Sequence, residues 1–219
     1  MVYLEELNKY PIVHGISTRR TKIDDFLKEI GVADLPLAKL EQVHKGKVAK
    51  VTSKTDLSSK IVGCDGAITN TKGIALMVLT ADCLPIFLYD PERNAIGIAH
   101  AGWRGTLEGI TKNVVGAMKA EFKSDPARIL VGFGPAIRQC CYEVSREFLM
   151  RFPESVVKMA HKYYFDLAGE NAERLLSAGA TSKNMFDCGI CTSCRSDEFY
   201  CYRKEEDKTA RMASVIMLK

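Results

Sequence analysis

Apolar runs of strand length recur along the chain and predict buried β-strands. The runs occupy residues 74–80, 84–89, 95–99, 128–133 and 212–218. The segment DPERN at residues 90–94 is a turn signal, and it separates the second run from the third. The third run is predicted to deliver His100 at the end of its strand.

Two other stretches place apolar residues at helical spacing. The first is predicted to begin at a Thr106 cap and to bury a stripe of Leu107, Ile110, Val114 and Met118. The second covers residues 166–178, stops at Gly179 and buries Leu167, Asn171, Leu175 and Ala178. Strands clustered in series, with helices between the clusters, favour an α+β fold.

Length and composition are typical of one globular domain. The chain has 219 residues, of which 47% are apolar, and this predicts a single domain over residues 1–219. No apolar run is long enough to predict a membrane span, and residues 1–10 do not resemble a secretory signal. We therefore expect a soluble, cytoplasmic protein.

Charge and cysteine content narrow the function classes further. The net charge of +4 is mild and scattered, so nucleic acid is not an expected partner. In a reducing compartment, the eight cysteines favour metal binding or catalysis over disulfide bonds.

Three candidate metal ligands stand at the ends of predicted elements: His44, Cys83 and His100. Two imidazoles and a thiolate suit zinc, and three protein ligands leave a fourth position open for catalysis. Spacing alone leaves alternatives, because a buried cysteine is often a small apolar residue. Cys83 and His100 could also be a nucleophile and its base.

Several longer motifs occur in a fixed order along the chain. They include HGISTR at residues 14–19, QVH at 42–44, CDG at 64–66, TADCLPI at 80–86, AHAGWRGT at 99–106, GPAI at 134–137, CYEV at 141–144 and FYCYR at 199–203. Together they closely resemble the YfiH-like family, also called the laccase-domain, polyphenol oxidase or purine nucleoside phosphorylase family.

The resemblance implies an α/β/β/α layered sandwich, related to the cytotoxic necrotizing factor catalytic domain, in a largely monomeric enzyme. It implies that the metal ligands are His44, Cys83 and His100. The activities it implies disagree. One is zinc-dependent phosphorolysis of adenosine, inosine, guanosine and methylthioadenosine, with adenosine deamination; the other is copper-dependent polyphenol oxidation.

The residues favour Zn²⁺ over Cu²⁺, because four histidines are too few for a multicopper site. Arg19 and Arg104 are candidates for phosphate or ribose contacts. Asp82 and Asp65 could carry protons, contact substrate or orient a ligand, although Asp65 could equally belong to a turn. Trp103 could stack on a purine or pack in the core.

Three functional hypotheses follow: a zinc nucleoside phosphorylase, a copper phenol oxidase, and a cysteine hydrolase using Cys83 and His100. A non-enzymatic binding module is the remaining alternative. The chain also carries a possible second structural metal site in Cys188, Cys191, Cys194 and Cys201, whose alternative is a set of buried thiols. The adjacent cysteines 140 and 141 are expected only to pack.

Overall fold

The computed structural model describes all 219 residues and has a mixed α/β fold. Its helices are α1 Ile23–Glu29, α2 Trp103–Leu107, α3 Ile110–Phe122, α4 Phe148–Arg151 and α5 Leu167–Ser177. Its strands are β1 Ile12–Ile16, β2 Leu37–Lys39, β3 Val48–Lys50, β4 Gly66–Thr69, β5 Ala75–Thr80, β6 Leu84–Asp90, β7 Ala95–Ala101, β8 Leu130–Phe133, β9 Glu143–Val144, β10 Val156–Met159, β11 Lys162–Phe165, β12 Met185–Asp187 and β13 Met212–Leu218.

Two of the three sheets pack face to face. One has four strands in the order β1-β13-β5-β2, and the other has six in the order β12-β8-β6-β7-β4-β3. A continuous apolar core between them contains Leu76 and Ile216 from the first sheet and Phe87 and Ile98 from the second. Alternate strand residues such as Ile86 face the opposite way, so both faces of the sheet are buried.

Helices cover the outer face of each large sheet. Phe26 and Leu27 of α1 pack on Met77 and Val215 of the four-stranded sheet. On the other side, α3 and α5 bury an apolar cluster against the six-stranded sheet. The order of layers is therefore helix, sheet, sheet, helix, and a small third sheet has the strand order β10-β11-β9.

Most of the predicted strands are confirmed with small changes at their ends. β5, β6, β7 and β13 fall within a residue or two of the predicted runs. The run at residues 128–133 begins differently, because Pro126–Arg128 forms a 3-10 turn and β8 starts at Leu130. No helix combines the length and apolar character that crossing a membrane requires.

The predicted start of the first helix is wrong. Gly109 has a left-handed backbone, with φ at 77°, and divides the stretch into α2 and α3. Thr106 therefore lies inside α2 rather than at a cap, and Leu107 is exposed. The buried Thr106 hydroxyl instead accepts a 2.9 Å hydrogen bond from Asn171 Nδ2.

The second predicted helix is confirmed as α5. The Asp166 side chain caps it by accepting a hydrogen bond from the Gly169 backbone at 2.9 Å. Asn171 is fully buried on its inner face, where it contacts both α2 and α3. Gly179, with φ at 96°, follows the helix end as predicted.

Candidate metal centre

His44, Cys83 and His100 come together from three different connections of the fold. His100 is the penultimate residue of β7, Cys83 lies in the turn between β5 and β6, and His44 lies in the loop between β2 and β3. One ligand atom from each residue lies within 4.8 Å of the others. The structure therefore brings together all three residues that the sequence predicted as ligands.

The backbone at this site is strained at three residues. Gln42, His44 and Asp82 have φ values of 61°, 59° and 79°, in the left-handed region that L-residues rarely adopt. The Gln42 amide stabilises its loop by donating to the Leu79 carbonyl and accepting from the Leu79 N–H, each at 2.7 Å. Strain of this kind is concentrated at functional sites in proteins.

Asp65 lies beneath the two histidines and is fully buried. Its Oδ1 accepts from His100 Nδ1 at 2.8 Å and from the His44 N–H at 2.9 Å. Its Oδ2 accepts from the N–H groups of Val43 and Lys45 at 3.0 and 2.9 Å. Burial opposes ionisation, but the His100 hydrogen bond and the backbone donors together lower the pKa of Asp65.

The ionised Asp65 carboxylate can only accept, so His100 must donate through Nδ1 and turn Nε2 towards Cys83 and His44. Contact with substrate was one of several roles considered for Asp65, and the structure places its carboxylate outside the cavity lining. Every hydrogen bond of its carboxylate goes to the loop of His44 or to His100, and none of its surface reaches solvent.

Cys83 and His100 stabilise opposite charges on each other. Burial raises the pKa of the Cys83 thiol, but the charge and hydrogen bond of His100, with a contribution from His44, lower it to about 6. Burial likewise lowers the pKa of His100, but the Cys83 thiolate and Asp65 raise it to about 9. Without a metal, the pair is therefore a thiolate and an imidazolium near neutral pH.

The space between the ligands fits a metal ion. A Cβ on Gly102 would lie 2.8 Å from Cys83 Sγ and 3.2 Å from His44 Nδ1, so only glycine leaves the space beside these two atoms open. We call this space the cradle. Two nitrogens and a thiolate sulfur form a donor set typical of zinc, and also of a single copper. His44, Cys83 and His100 therefore fit the metal ion that the sequence predicted.

The three candidate ligands lie at a cavity of about 560 Å³ whose lining is rich in basic and aromatic side chains. Arg104 stacks on Trp103, with 4.5 Å from Cζ to the ring centre, and Arg203 stacks on Tyr142 at 4.9 Å. Neither guanidinium pairs with a carboxylate. The cavity therefore offers an anion two uncommitted guanidiniums.

Arg19, which was predicted to contact phosphate or ribose, lies outside the cavity lining. Its guanidinium pairs with Glu205 at 3.0 Å, donates to the Ser196 carbonyl and stacks on Tyr200. The structure therefore does not bring Arg19 together with the candidate ligands, and its ion pair with Glu205 holds it in the neighbouring loop. Sequence reasoning missed Arg203 instead, although it ends the FYCYR motif.

Asp82 lines the cavity, but its carboxylate is also fully engaged. Oδ1 accepts from the Thr192 hydroxyl at 2.6 Å, and Oδ2 accepts from the Arg203 N–H at 3.2 Å and from Cys201 Sγ at 3.5 Å. Asp82 therefore holds the segment before β13 against the turn that carries Cys83. Trp103 is half-buried against Phe148 and also lines the cavity.

A second group of sulfurs differs from the predicted one. Cys191 and Cys194 lie together with Cys140 and Cys141, and not with Cys188 or Cys201. The latter two lie near Arg138 and Asp82 respectively. The hypothesis of a site built within residues 188–201 is corrected, because only Cys191 and Cys194 of that run belong to the group. Cys140 and Cys141 pack against these two cysteines.

Comparison with known proteins gives consistent matches over nearly the whole chain. Residues 18–219 match the family model described as Multi-copper polyphenol oxidoreductase laccase. The chain is 30% identical to Purine nucleoside phosphorylase YlmD of Bacillus subtilis, over 98% of this chain and 83% of that protein. It is 36% identical to a Purine nucleoside phosphorylase of Aquifex aeolicus, over 81% of each.

Solved structures show the same similarity. The Bacillus licheniformis hypothetical protein YfiH superposes with a TM-score of 0.89 at 27% identity, covering 98% of this chain and 95% of that one. YlmD from Geobacillus stearothermophilus gives a TM-score of 0.87 at 27% identity, covering 95% and 92%.

Proposed function

Because the chain belongs to the multi-copper polyphenol oxidoreductase laccase family, whose curated relatives include purine nucleoside phosphorylases, we propose that it is a zinc-dependent purine nucleoside phosphorylase. Its substrates are adenosine, inosine, guanosine and methylthioadenosine, each with phosphate, and it also deaminates adenosine. The observation that carries this proposal is the placing of the ligand triad beside two unpaired guanidiniums in one cavity.

His44, Cys83 and His100 hold the metal, and Asp65 fixes the orientation of both imidazoles. Zinc bound there supplies Lewis acidity to a substrate oxygen. Phosphorolysis also requires an anion to be held close to the sugar carbon while positive charge develops there. Arg104 and Arg203 supply that grip, since guanidinium groups bind phosphate through two parallel hydrogen bonds.

The aromatic side chains of the lining give the cavity an apolar component. Trp103, Tyr142 and Tyr202 line the cavity and are the aromatic groups proposed to contact the purine. Each ring already has at least one cationic side chain over it. A purine held there excludes water from the guanidinium groups, which strengthens their attraction for phosphate.

Copper-dependent phenol oxidation is the second candidate, favoured by the family description and by the donor set. The other two histidines do not support it. His14 Nε2 accepts from the Leu4 N–H at 3.0 Å, inside the sandwich, and His161 lies in the exposed β10–β11 turn. The site therefore offers one copper two imidazoles, too few for the several coppers of a dioxygen-reducing oxidase.

A cysteine hydrolase is the third candidate, favoured by the pKa of Cys83, which is lowered to about 6 next to His100. Alkylation separates it from the first. A metal-bound thiolate is protected until the metal is removed, whereas a free nucleophile reacts at once.

The test uses protein purified without added metal, analysed for zinc and copper by mass spectrometry. Inosine and phosphate are then supplied while hypoxanthine and ribose 1-phosphate are followed, for the native chain, Cys83→Ala and the control Cys188→Ser. We expect about one zinc at the triad and loss of phosphate-dependent product in Cys83→Ala alone. Copper with oxygen consumption on phenols, and no phosphorolysis, would contradict the proposal.

We propose a single-domain, cytoplasmic monomer whose sandwich is related to the cytotoxic necrotizing factor catalytic domain. Its partners are small molecules, and nucleic acid and membranes are not among them. Sedimentation of the purified protein tests the monomeric state directly.

A further inference from the structure

Four cysteines outside the candidate metal centre gather at one point. Cys140 and Cys141 lie in the turn after β8, and Cys191 and Cys194 lie in the turn after β12. All four sulfurs lie within 4.8 Å of one another, and Cys194 Sγ is 3.7 Å from Cys140 Sγ and 3.5 Å from Cys141 Sγ. We name these four residues the thiol cluster.

The spacing of the thiol cluster matches one tetrahedral ion. Four thiolates bound to zinc at about 2.3 Å lie about 3.8 Å apart. An iron–sulfur cluster needs wider separations, because its iron and sulfide atoms lie between the thiolates. The shortest sulfur–sulfur separations are also well beyond a disulfide bond, which is about 2.05 Å long.

The backbone around Cys191 favours the thiolate form. Backbone groups of Arg138, Ser193 and Cys194, together with the Cys140 side chain, favour the thiolate of Cys191, whereas burial and the neighbouring sulfurs raise the pKa of the Cys140 thiol. Burial acts to raise the pKa of Cys191, but these donors lower it overall. Ser193 and Cys194 belong to the same turn as Cys191, and Arg138 belongs to the loop after β8, so groups of both segments act on one sulfur.

From this geometry we propose that the thiol cluster binds one structural Zn²⁺ through Cys140, Cys141, Cys191 and Cys194. This site is separate from the His44–Cys83–His100 centre. On binding, the thiols release their protons to solvent and the sulfurs become the four ligands of a closed tetrahedral site, which leaves no position for substrate.

The ion ties together two segments that form one wall of the cavity. Ala136 and Cys191 already form a parallel bridge, with the Thr192 N–H donating to the Ala136 carbonyl at 3.0 Å. The first segment continues to Tyr142, which lines the cavity. In the second, the Thr192 hydroxyl donates to Asp82, next to Cys83. A zinc ion here therefore orders the cavity wall without contacting substrate.

The experiment compares zinc content among variants grown and purified in the same way. We expect Cys194→Ser and the double variant Cys140→Ser/Cys194→Ser to lose one zinc per chain relative to the native protein. The matched control Cys188→Ser belongs to the same C-x₂-C-x₂-C run but lies outside the thiol cluster, and it should lose none. Cys83→Ala should keep this zinc, which separates failure here from failure of the proposed function.

A second measurement does not depend on variants of the thiol cluster folding well. Cobalt added to metal-free native protein should give thiolate-to-cobalt charge-transfer absorption that persists in Cys83→Ala. Hydrogen exchange should then speed up in residues 136–142 and 190–203 when the zinc is removed. Equal zinc in Cys194→Ser and native protein, iron in place of zinc, or an intact mass lower by two hydrogens from a disulfide would each overturn the proposal.

Discussion

Asp65 shows how much one buried carboxylate can organise at the residue scale. It accepts from three consecutive backbone N–H groups of the His44 loop and from the ring of His100. The same side chain therefore fixes the backbone of His44 and the tautomer of His100, both candidate ligands. Carboxylate–histidine contacts of this kind orient imidazoles towards metals.

Replacing Asp65 tests this role. Asp65→Asn keeps the shape but removes the negative charge facing His100, so we expect metal affinity at the triad to fall about 10–100-fold. Chelator competition measures the affinity. Asp90→Asn is the matched control, because Asp90 is equally buried but only caps the turn at Glu92 and Arg93. Equal affinities in both variants would contradict the role of Asp65.

The pH dependence of Cys83 follows from its lowered pKa. In metal-free protein the thiolate form is lost as pH falls through about 6, so alkylation of Cys83 should decline with a midpoint there. His100→Gln removes the positive charge that stabilises the thiolate, and the midpoint should therefore rise. Alkylation rates at Cys83, followed by peptide mass spectrometry across pH, measure it.

Cys64 is the internal comparison in the same samples, because burial raises the pKa of its thiol. It should react slowly throughout the range below pH 8. A Cys83 midpoint that does not move in His100→Gln would show that His100 is not the source of the shift.

Residue identities and the family resemblance predicted the three candidate ligands that the structure brings together, but not the partners of the charged residues around them. Arg19 and Arg203 look equivalent in sequence, since each ends a motif. They differ because Glu205, distant in sequence from Arg19, pairs with it. The partner of a side chain depends on how far-apart segments meet, and spacing along one chain does not contain that information.

At the scale of elements, long apolar runs were predictable because both faces of their strands are buried. β6 and β13 are buried at every residue, so their sequences read as continuous apolar runs. Short strands such as β2 and β9 have no apolar run that would predict them. They are held in extended form by pairing with a neighbouring strand. The Gly109 break was missed because apolar spacing continues on both sides of it.

The junction between β7 and α2 provides a test at this scale. Gly102 has φ at −82°, a conformation open to any residue, so Gly102→Ala acts only through its added methyl group. That group would collide with Cys83 Sγ and His44 Nδ1, and we expect a cost of about 1–3 kcal/mol to metal binding. Calorimetric metal titration measures this cost.

Gly116→Ala is the matched control for that substitution. Gly116 is exposed in α3 and has open space around its Cβ position, so the substitution should stabilise the fold by about 0.5–1 kcal/mol. Its metal affinity should equal that of the native chain. A Gly102→Ala variant that binds metal normally would show that the cradle is wider than the structure indicates.

At the scale of the molecule, the candidate centre lies where the chain crosses between sheets. β5 belongs to the four-stranded sheet and β6 to the six-stranded sheet, so the turn with Asp82 and Cys83 joins the two layers. The segment between β12 and β13 makes a second crossing and contributes Arg203. The sequence indicated the layers through a resemblance, but this convergence depends on the tertiary fold.

The charge of the cavity is the property to test at this scale. Arg203→Ala removes a guanidinium but keeps the backbone N–H that donates to Asp82. A lost charge-assisted hydrogen bond costs about 1.5–3 kcal/mol, so KM for phosphate should rise roughly 10–100-fold. Steady-state phosphorolysis at varied phosphate measures it, with the nucleoside saturating.

Arg20→Ala is the control for this charge, since Arg20 is exposed and pairs only loosely with Asp197, at 3.8 Å. It should leave both KM values unchanged. An equal rise in KM for phosphate in Arg20→Ala would indicate a general effect of surface charge rather than binding by Arg203.

The position of β13 also affects how the protein is made. This strand is translated after all the others, yet it lies between β1 and β5 and pairs antiparallel with both. While the ribosome is still translating the preceding segments, β1 and β5 expose unpaired backbone edges, and such edges promote association between nascent chains. The four-stranded sheet can therefore form only once β13 has been made and has inserted between β1 and β5.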